Sequence, residues 1–219
     1  MLSFREHKYV IDTRLKIPLR IILGAIPYSG EEILANIFKK IPGLYYQPHP
    51  LGKLQFRAIA RPDITEATEA SEYLLDISLC EHKKLIEKTP LYLQKYWFDA
   101  GNNALFHPKC ANDKFKSTPF CGNVTYLNAI CSEAPIQLLR VNTEIFHALN
   151  FGRLIYDPWS SASLKIIFMV RDPRALIYER KLNPKCNSNC SDAAKICTRM
   201  RSNMRAILQY ETFAPSRAK

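Results

Sequence analysis

The sequence predicts an α/β domain with a central, mostly parallel sheet flanked by helices. Three observations carry this reading. Two apolar runs of strand length, within residues 15–26 and 164–170, each pass through a short turn into a helix-forming segment. The second run is apolar without alternation, the pattern of a strand buried on both faces of a parallel sheet. The chain has 219 residues, enough to enclose one sizeable core.

Along the chain, residues 15–26, LKIPLRIILGAI, read as a buried strand with Pro18 near its start. The turn Pro27, Tyr28, Ser29, Gly30 leads to a helix over 31–40, whose apolar face is Ile33, Leu34, Ile37 and Phe38 and whose stop is Pro42-Gly43. Residues 65–88 read as helical, and 98–132, rich in Asn, Pro and Cys, as loops pinned by bridges. A strand is expected over 136–142, a helix over 143–149 and a strand over 164–170. The last helix has Ser191 as its cap and Asp192 in its first turn. Its apolar stripe is Ala193, Ile196, Cys197, Met200, Met204, Ile207 and Leu208, with Lys195, Arg199 and Arg205 on a solvated basic face.

Charge narrows the partners. The net charge is +11, and +8 of it lies from Leu164 onward, where 12 Lys and Arg face 4 Asp and Glu. Such a balance favours anionic ligands: nucleotide, nucleic acid, acidic glycan or membrane surface. Aromatic interleaving and a nucleic-acid motif are both missing, so a nucleic-acid-binding protein ranks last. Seven cysteines (Cys80, Cys110, Cys121, Cys131, Cys186, Cys190, Cys197) fit a lumenal or secreted chain with disulfides. No Cys-x-x-Cys or His-x-x-x-His pair occurs, so no metal site is expected. Two acceptor patterns for N-glycosylation, at Asn123 and Asn189, point to the same compartment. The opening residues MLSFREHKYVIDTR are polar and lack a signal peptide or membrane span. Two expectations stand: a cytosolic chain, or a chain without its true N-terminus.

Two strand-to-helix junctions are candidate anion sites. A helix N-terminus after a tight turn presents backbone N–H groups and a positive dipole end. IILGAIPYSGEEILANIF has that order, although it is not a Walker A motif and, taken alone, reads more readily as an ordinary strand–turn–helix. At the second junction, Arg171 stands where a strand emerges at its carboxyl end, the ligand edge of an open α/β sheet. Arginine reads phosphate with a planar fork of donors. The bland alternative is a surface pair between Arg171 and Asp172, worth little.

LKIIFMVRDPRALIYER resembles the 3′-phosphate-binding segment of the Golgi carbohydrate sulfotransferases, in which a strand ends in Arg-Asp-Pro-Arg-Ala. The spacing of Cys186, Cys190, Asp192 and Cys197 resembles the cysteine pattern downstream of that segment in the family. LLRVNTEIFHALNFGRLIYDPWSSASLK resembles the stretch before it. IILGAIPYSGEEILANIFKKIPGLYYQPHPL resembles the 5′-phosphosulfate loop, its helix and the Phe/Tyr-rich segment beyond. The resemblance implies a P-loop-like sulfotransferase fold in a single domain over 1–219, with truncation at either end left open. It implies transfer of a sulfuryl group from 3′-phosphoadenosine 5′-phosphosulfate (PAPS) to a hydroxyl of a glycan or proteoglycan, without metal. It also implies the Golgi lumen, with a membrane anchor that this chain does not show. Arg171 would hold the nucleotide's 3′-phosphate, and Tyr28, Ser29, Gly30, Glu31 and Glu32 the 5′-phosphosulfate.

This sequence departs from the family pattern at those positions. The family loop Arg-Ser-Gly-Ser-Ser is here Tyr28-Ser29-Gly30-Glu31-Glu32. A serine that shares the 3′-phosphate is here Glu179, and an acidic candidate base is Gln47, which accepts no proton. His49, two residues on, is the substitute candidate base. A carboxylate about 4 Å from a phosphate charge costs ~1 kcal/mol in water and ~4 kcal/mol near a protein surface. Three of them weigh heavily against a micromolar affinity of ~8 kcal/mol. A catalytically inactive relative that binds glycan or acts as a scaffold is therefore the alternative.

Overall fold

The computed structural model describes residues 18–48, 50–51, 64–82, 123–142, 146–149, 164–184, 186 and 190–213. Its elements are β1 (Leu19–Ala25), α1 (Glu31–Phe38), β2 (Leu44–Pro48), α2 (Ile64–Ser78), α3 (Val124–Glu133), β3 (Ile136–Asn142), a 3-10 turn (Phe146–Ala148), β4 (Leu164–Met169), α4 (Pro173–Leu182) and α5 (Ala193–Phe213). The four strands form one parallel sheet in the order β2-β3-β1-β4. The α/β class and the flanked parallel sheet are thus as expected.

Alternation along the central strands builds two layers. Ile21, Leu23 and Leu138 point to one face, shared by Tyr46 of β2 and covered by Leu34, Ala35 and Phe38 of α1. Ile22, Leu139, Val141, Leu164 and Ile166 point to the other, against Tyr73, Leu74 and Ile77 of α2, Leu127 and Ile130 of α3, and Phe146. Burying one such side chain contributes about 1.5–3 kcal/mol. A third, smaller cluster joins Ile26 to Leu176 of α4 and to Ile196 and Met200 of α5. It fixes the helices that stand at the carboxyl end of β1.

Several expectations are corrected. The apolar run 164–170 is not doubly buried: β4 is the edge strand among the described residues, and Val170 is 51% exposed. The continuous burial belongs instead to β1 and β3. Residues 124–133, read as loop, are helical, because Asn123 caps α3 by accepting from the N–H groups of Thr125 and Tyr126 and because Leu127, Ile130 and Cys131 share one buried face. The helix expected over 65–88 ends at Ser78; Cys80 takes a left-handed conformation, φ 60°, and bridges to Cys131. On α5, Asp192 rather than Ser191 caps, through Lys195 N–H at 3.1 Å. The buried face of α5 is also rotated, to Ile196, Met200 and Asn203, with Ile207 and Tyr210 packed beyond. The reason is Asn203, fully buried, whose Oδ1 accepts from the His147 backbone N–H at 2.9 Å and lies 2.7 Å from His147 Nδ1. Met204 and Leu208 are left exposed. Of the helix expected over 143–149, the described residues form a 3-10 turn at Phe146–Ala148, and 143–145 lie outside them. Residues 83–122, with Cys110 and Cys121, and also Asn189 lie outside the described residues.

Among the described residues two disulfides form, Cys80–Cys131 and Cys186–Cys190, while Cys197 is free. The first ties the end of α2 to α3 beside one polar contact to each helix. Arg20 Nε donates to Ser78 O at 2.8 Å, a cation on a helix C-terminus, and Gln137 Nε2 donates to Cys131 O at 3.1 Å. No helix among the described residues is long and apolar enough to cross a membrane.

The packing leads to two expected outcomes. At Gly24 a methyl group would overlap the Phe146 ring, so Gly24→Ala should lower stability by about 1–3 kcal/mol. Denaturant melts should show part of that loss recovered when Phe146→Leu is added. His82 is buried, 3.1 Å from Tyr45 Oη and 2.8 Å from Asn128 Oδ1, and burial pushes it down to about 4 against the opposing Asn128 hydrogen bond. Between its ordinary value of 6.5 and about 4, only the unfolded chain takes up this proton. Stability from this group is therefore full above 6.5 and falls with pH toward about 4, by on the order of 3 kcal/mol. Melts of His82→Gln between pH 7 and 5 should be flatter than those of the parent chain; parallel curves would refute this assignment.

Candidate functional site

In a parallel sheet, neighbouring strands end side by side. Ala25 of β1 pairs with Asn142 of β3 and with Met169 of β4. The residues just past these ends therefore gather at one edge. With Arg140 and Asn142 of β3 and Glu179 of α4, the residues Pro27, Tyr28, Gly30, Glu31, Glu32 and Arg171 line a cleft of about 400 Å³. That volume lies within the range of small-molecule pockets.

The turn after β1 is tightly made. Ser29 N–H donates to Ile26 O at 3.1 Å, and Ile33 N–H to Gly30 O at 3.0 Å. Gly30, φ 89°, caps α1 in the left-handed region that glycine adopts without penalty. Tyr28 is left-handed as well, φ 75°, which for a residue with a side chain costs about 1–3 kcal/mol. Strain of this kind persists only where surrounding contacts impose it, and Arg171 supplies one. It stands just past the end of β4 and donates from Nη1 to Tyr28 O at 2.9 Å. Its other arm, Nη2, donates to Glu179 Oε1 at 3.3 Å. Both side chains are partly exposed, so the pair contributes modestly to stability. The expected Arg171–Asp172 alternative does not form. Asp172 instead caps α4, accepting from Arg174 N–H at 2.8 Å, and pairs with the Arg174 guanidinium at 2.6 Å. Hydrogen bonds from Arg174 hold the Asp172 carboxyl down at about 2. Pro173 opens the helix at a position that needs no N–H donor.

The N-terminus of α1 faces the same cleft, with Glu31 and Glu32 in its first turn and no side-chain cap. Glu31 is 6% exposed and its Oε1 accepts from Asn142 Nδ2 at 2.7 Å. Glu32 is 75% exposed at the side chain and lies 4.0 Å from Arg140 Nη1. The carboxylates thus stand where the dipole and the arginines would receive an anion. Two arginines face three carboxylates across the lining.

Of the sequence-derived candidates, Tyr28, Gly30, Glu31, Glu32, Arg171 and Glu179 come together in this cleft. Ser29 is buried at 6% exposure behind the turn and does not line it; its Oγ has no hydrogen-bond partner among the described residues. His49 lies outside the described residues. Gln47, at the carboxyl end of β2, is fully buried, and neither amide atom has a partner among the described residues. Three contributors escaped the sequence reading. Arg140 stands out in the strand IQLLRVN only as an arginine in an apolar run. Asn142 is marked only by ending that strand. Arg180, 1% exposed, binds beneath the turn. Comparison with protein families, with curated proteins and with solved structures finds no match.

The lining's charge is testable. Glu31→Gln, Glu32→Gln and Glu179→Gln together should raise affinity for inorganic pyrophosphate at least tenfold, given ~1–4 kcal/mol for each carboxylate removed. Calorimetry that finds no gain would show that these side chains do not govern anion access.

Proposed function

We propose that the protein is of the Golgi carbohydrate sulfotransferase kind, transferring a sulfuryl group from PAPS to a carbohydrate hydroxyl. The observation that carries this reading is the aim of Arg171. Its guanidinium leaves the end of a parallel strand and bends over the turn between β1 and α1, hydrogen-bonded to Tyr28 O. Strand-end arginine, tight turn and helix N-terminus share one cleft, as recognition of a nucleotide with phosphates at both ends requires. In this role Arg171 exchanges Glu179 for the 3′-phosphate, and the first turn of α1 receives the 5′-phosphosulfate. Fixed donors of this sort stabilise a transferring anionic group without reorganising. The disulfides agree with a lumenal setting.

A second reading has its own support: a catalytically inactive, glycan-binding relative. Buried Glu31 on Asn142 and Glu179 on Arg171 fill the anion positions from within. Carboxylates, an amide and an exposed edge of Tyr28 suit sugar hydroxyls better than phosphate.

Calorimetry with 3′-phosphoadenosine 5′-phosphate, the desulfated product, distinguishes the two. The first reading expects measurable binding that Arg171→Ala weakens about tenfold or more, the worth of a charged hydrogen bond. Absence of heat from the parent chain, with heat from a neutral oligosaccharide, would leave the second.

A further inference from the structure

Arg180 is among the largest fully buried side chains of the described residues, a guanidinium only 1% exposed. Burial lowers its proton affinity from the ordinary value, yet arginine stays charged in proteins. A buried cation needs well-directed partners, and two of those of Arg180 come from separate parts of the chain. Nη1 donates to Cys190 O at 2.9 Å, within the segment closed by the Cys186–Cys190 bridge. Nη2 donates to Pro27 O at 3.4 Å, and the guanidinium carbon lies 5.9 Å from the centre of the Tyr28 ring. One α4 residue thus reaches the turn after β1 and the approach to α5 together.

The contacts converge on the strained residue. Pro27 O is held by Arg180 and the next carbonyl, Tyr28 O, by Arg171. The Tyr28 hydroxyl accepts from Asn183 Nδ2, three residues after Arg180 on the same face of the helix end. With consecutive carbonyls, ring and hydroxyl all tied to α4 or to residues within two positions of its ends, the left-handed Tyr28 has no easy route back to a relaxed conformation.

We propose that Arg180 is a positioning residue that clamps the Pro27–Gly30 turn to the Cys186–Cys190 bridge and so sets the shape of the cleft. This rests on the nucleotide reading for its functional consequence, but the clamp itself is made by the chain's own residues. Arg180 does not line the cleft; it acts through Pro27 and Tyr28.

Hydrogen exchange of the full chain, read by mass spectrometry without nucleotide, tests it. Arg180→Ala should speed exchange of residues 27–33 about tenfold, while α3 changes less than about twofold. Arg180→Lys, which keeps the charge against the Tyr28 ring, should fall between Arg180→Ala and the parent chain. The pair Cys186→Ser and Cys190→Ser should also speed exchange of 27–33, and adding it to Arg180→Ala should have no further effect, because the bridge acts through Arg180. Unchanged exchange in Arg180→Ala, or additive effects in the combined variant, overturns the proposal. If Arg180→Ala loses α3 protection and so does not fold, the cysteine pair decides: unchanged exchange at 27–33 there overturns it. Adding 3′-phosphoadenosine 5′-phosphate to the same samples separates the two claims. Loss of protection in the variants with no nucleotide effect in the parent chain keeps the clamp and removes the nucleotide reading.

Discussion

The structure around the cleft depends on one guanidinium. Arg171 joins the end of β4, at the sheet's edge among the described residues, to the turn that leaves a central strand, while its second arm rests on Glu179. Parallel pairing makes this meeting unavoidable. Because Ala25 lies opposite Met169, the residues just beyond them emerge together, and a long side chain at 171 spans the remaining gap. The sheet supplies the register, and the arginine turns register into a site.

Charge then decides what that site can accept. Helix dipole, turn amides and two arginines favour an anion, while Glu31, Glu32 and Glu179 oppose one. These effects are of similar size, a few kcal/mol each at a protein surface. The outcome turns on whether the carboxylates can be displaced. Glu32 is largely in solvent and only loosely paired, so it can move aside. Glu31 is buried against Asn142 and cannot without breaking a hydrogen bond. Glu179 is intermediate, partly exposed and on a contact of 3.3 Å.

Local pattern made β1, β3, the span of α1 and the βα junctions readable, because each is specified by neighbours within a few positions; the apolar face read for α1 is corrected, since Leu34 and Phe38 pack inward with Ala35 while Ile33 and Ile37 are exposed. The departures have a common cause in distant contacts. The face of α5 is set by Asn203 reaching His147, not by its own apolar period. β4 has the composition of an interior strand, yet which strand takes the edge is settled by the pairing order. The stretch before β3 looks like loop until Asn123 is seen to cap a helix. At the site, Arg171 could be read from its place after a strand. Arg180 could not, since its link to Pro27 joins positions 153 apart and its only sequence trace is a basic residue late in a basic helix.

The most direct measurement is phosphorus NMR of 3′-phosphoadenosine 5′-phosphate titrated with the folded protein. The account predicts that the 3′-phosphorus signal shifts on addition of the parent chain and stays in place with Arg171→Ala. Identical shifts with both proteins, or none with either, would contradict it.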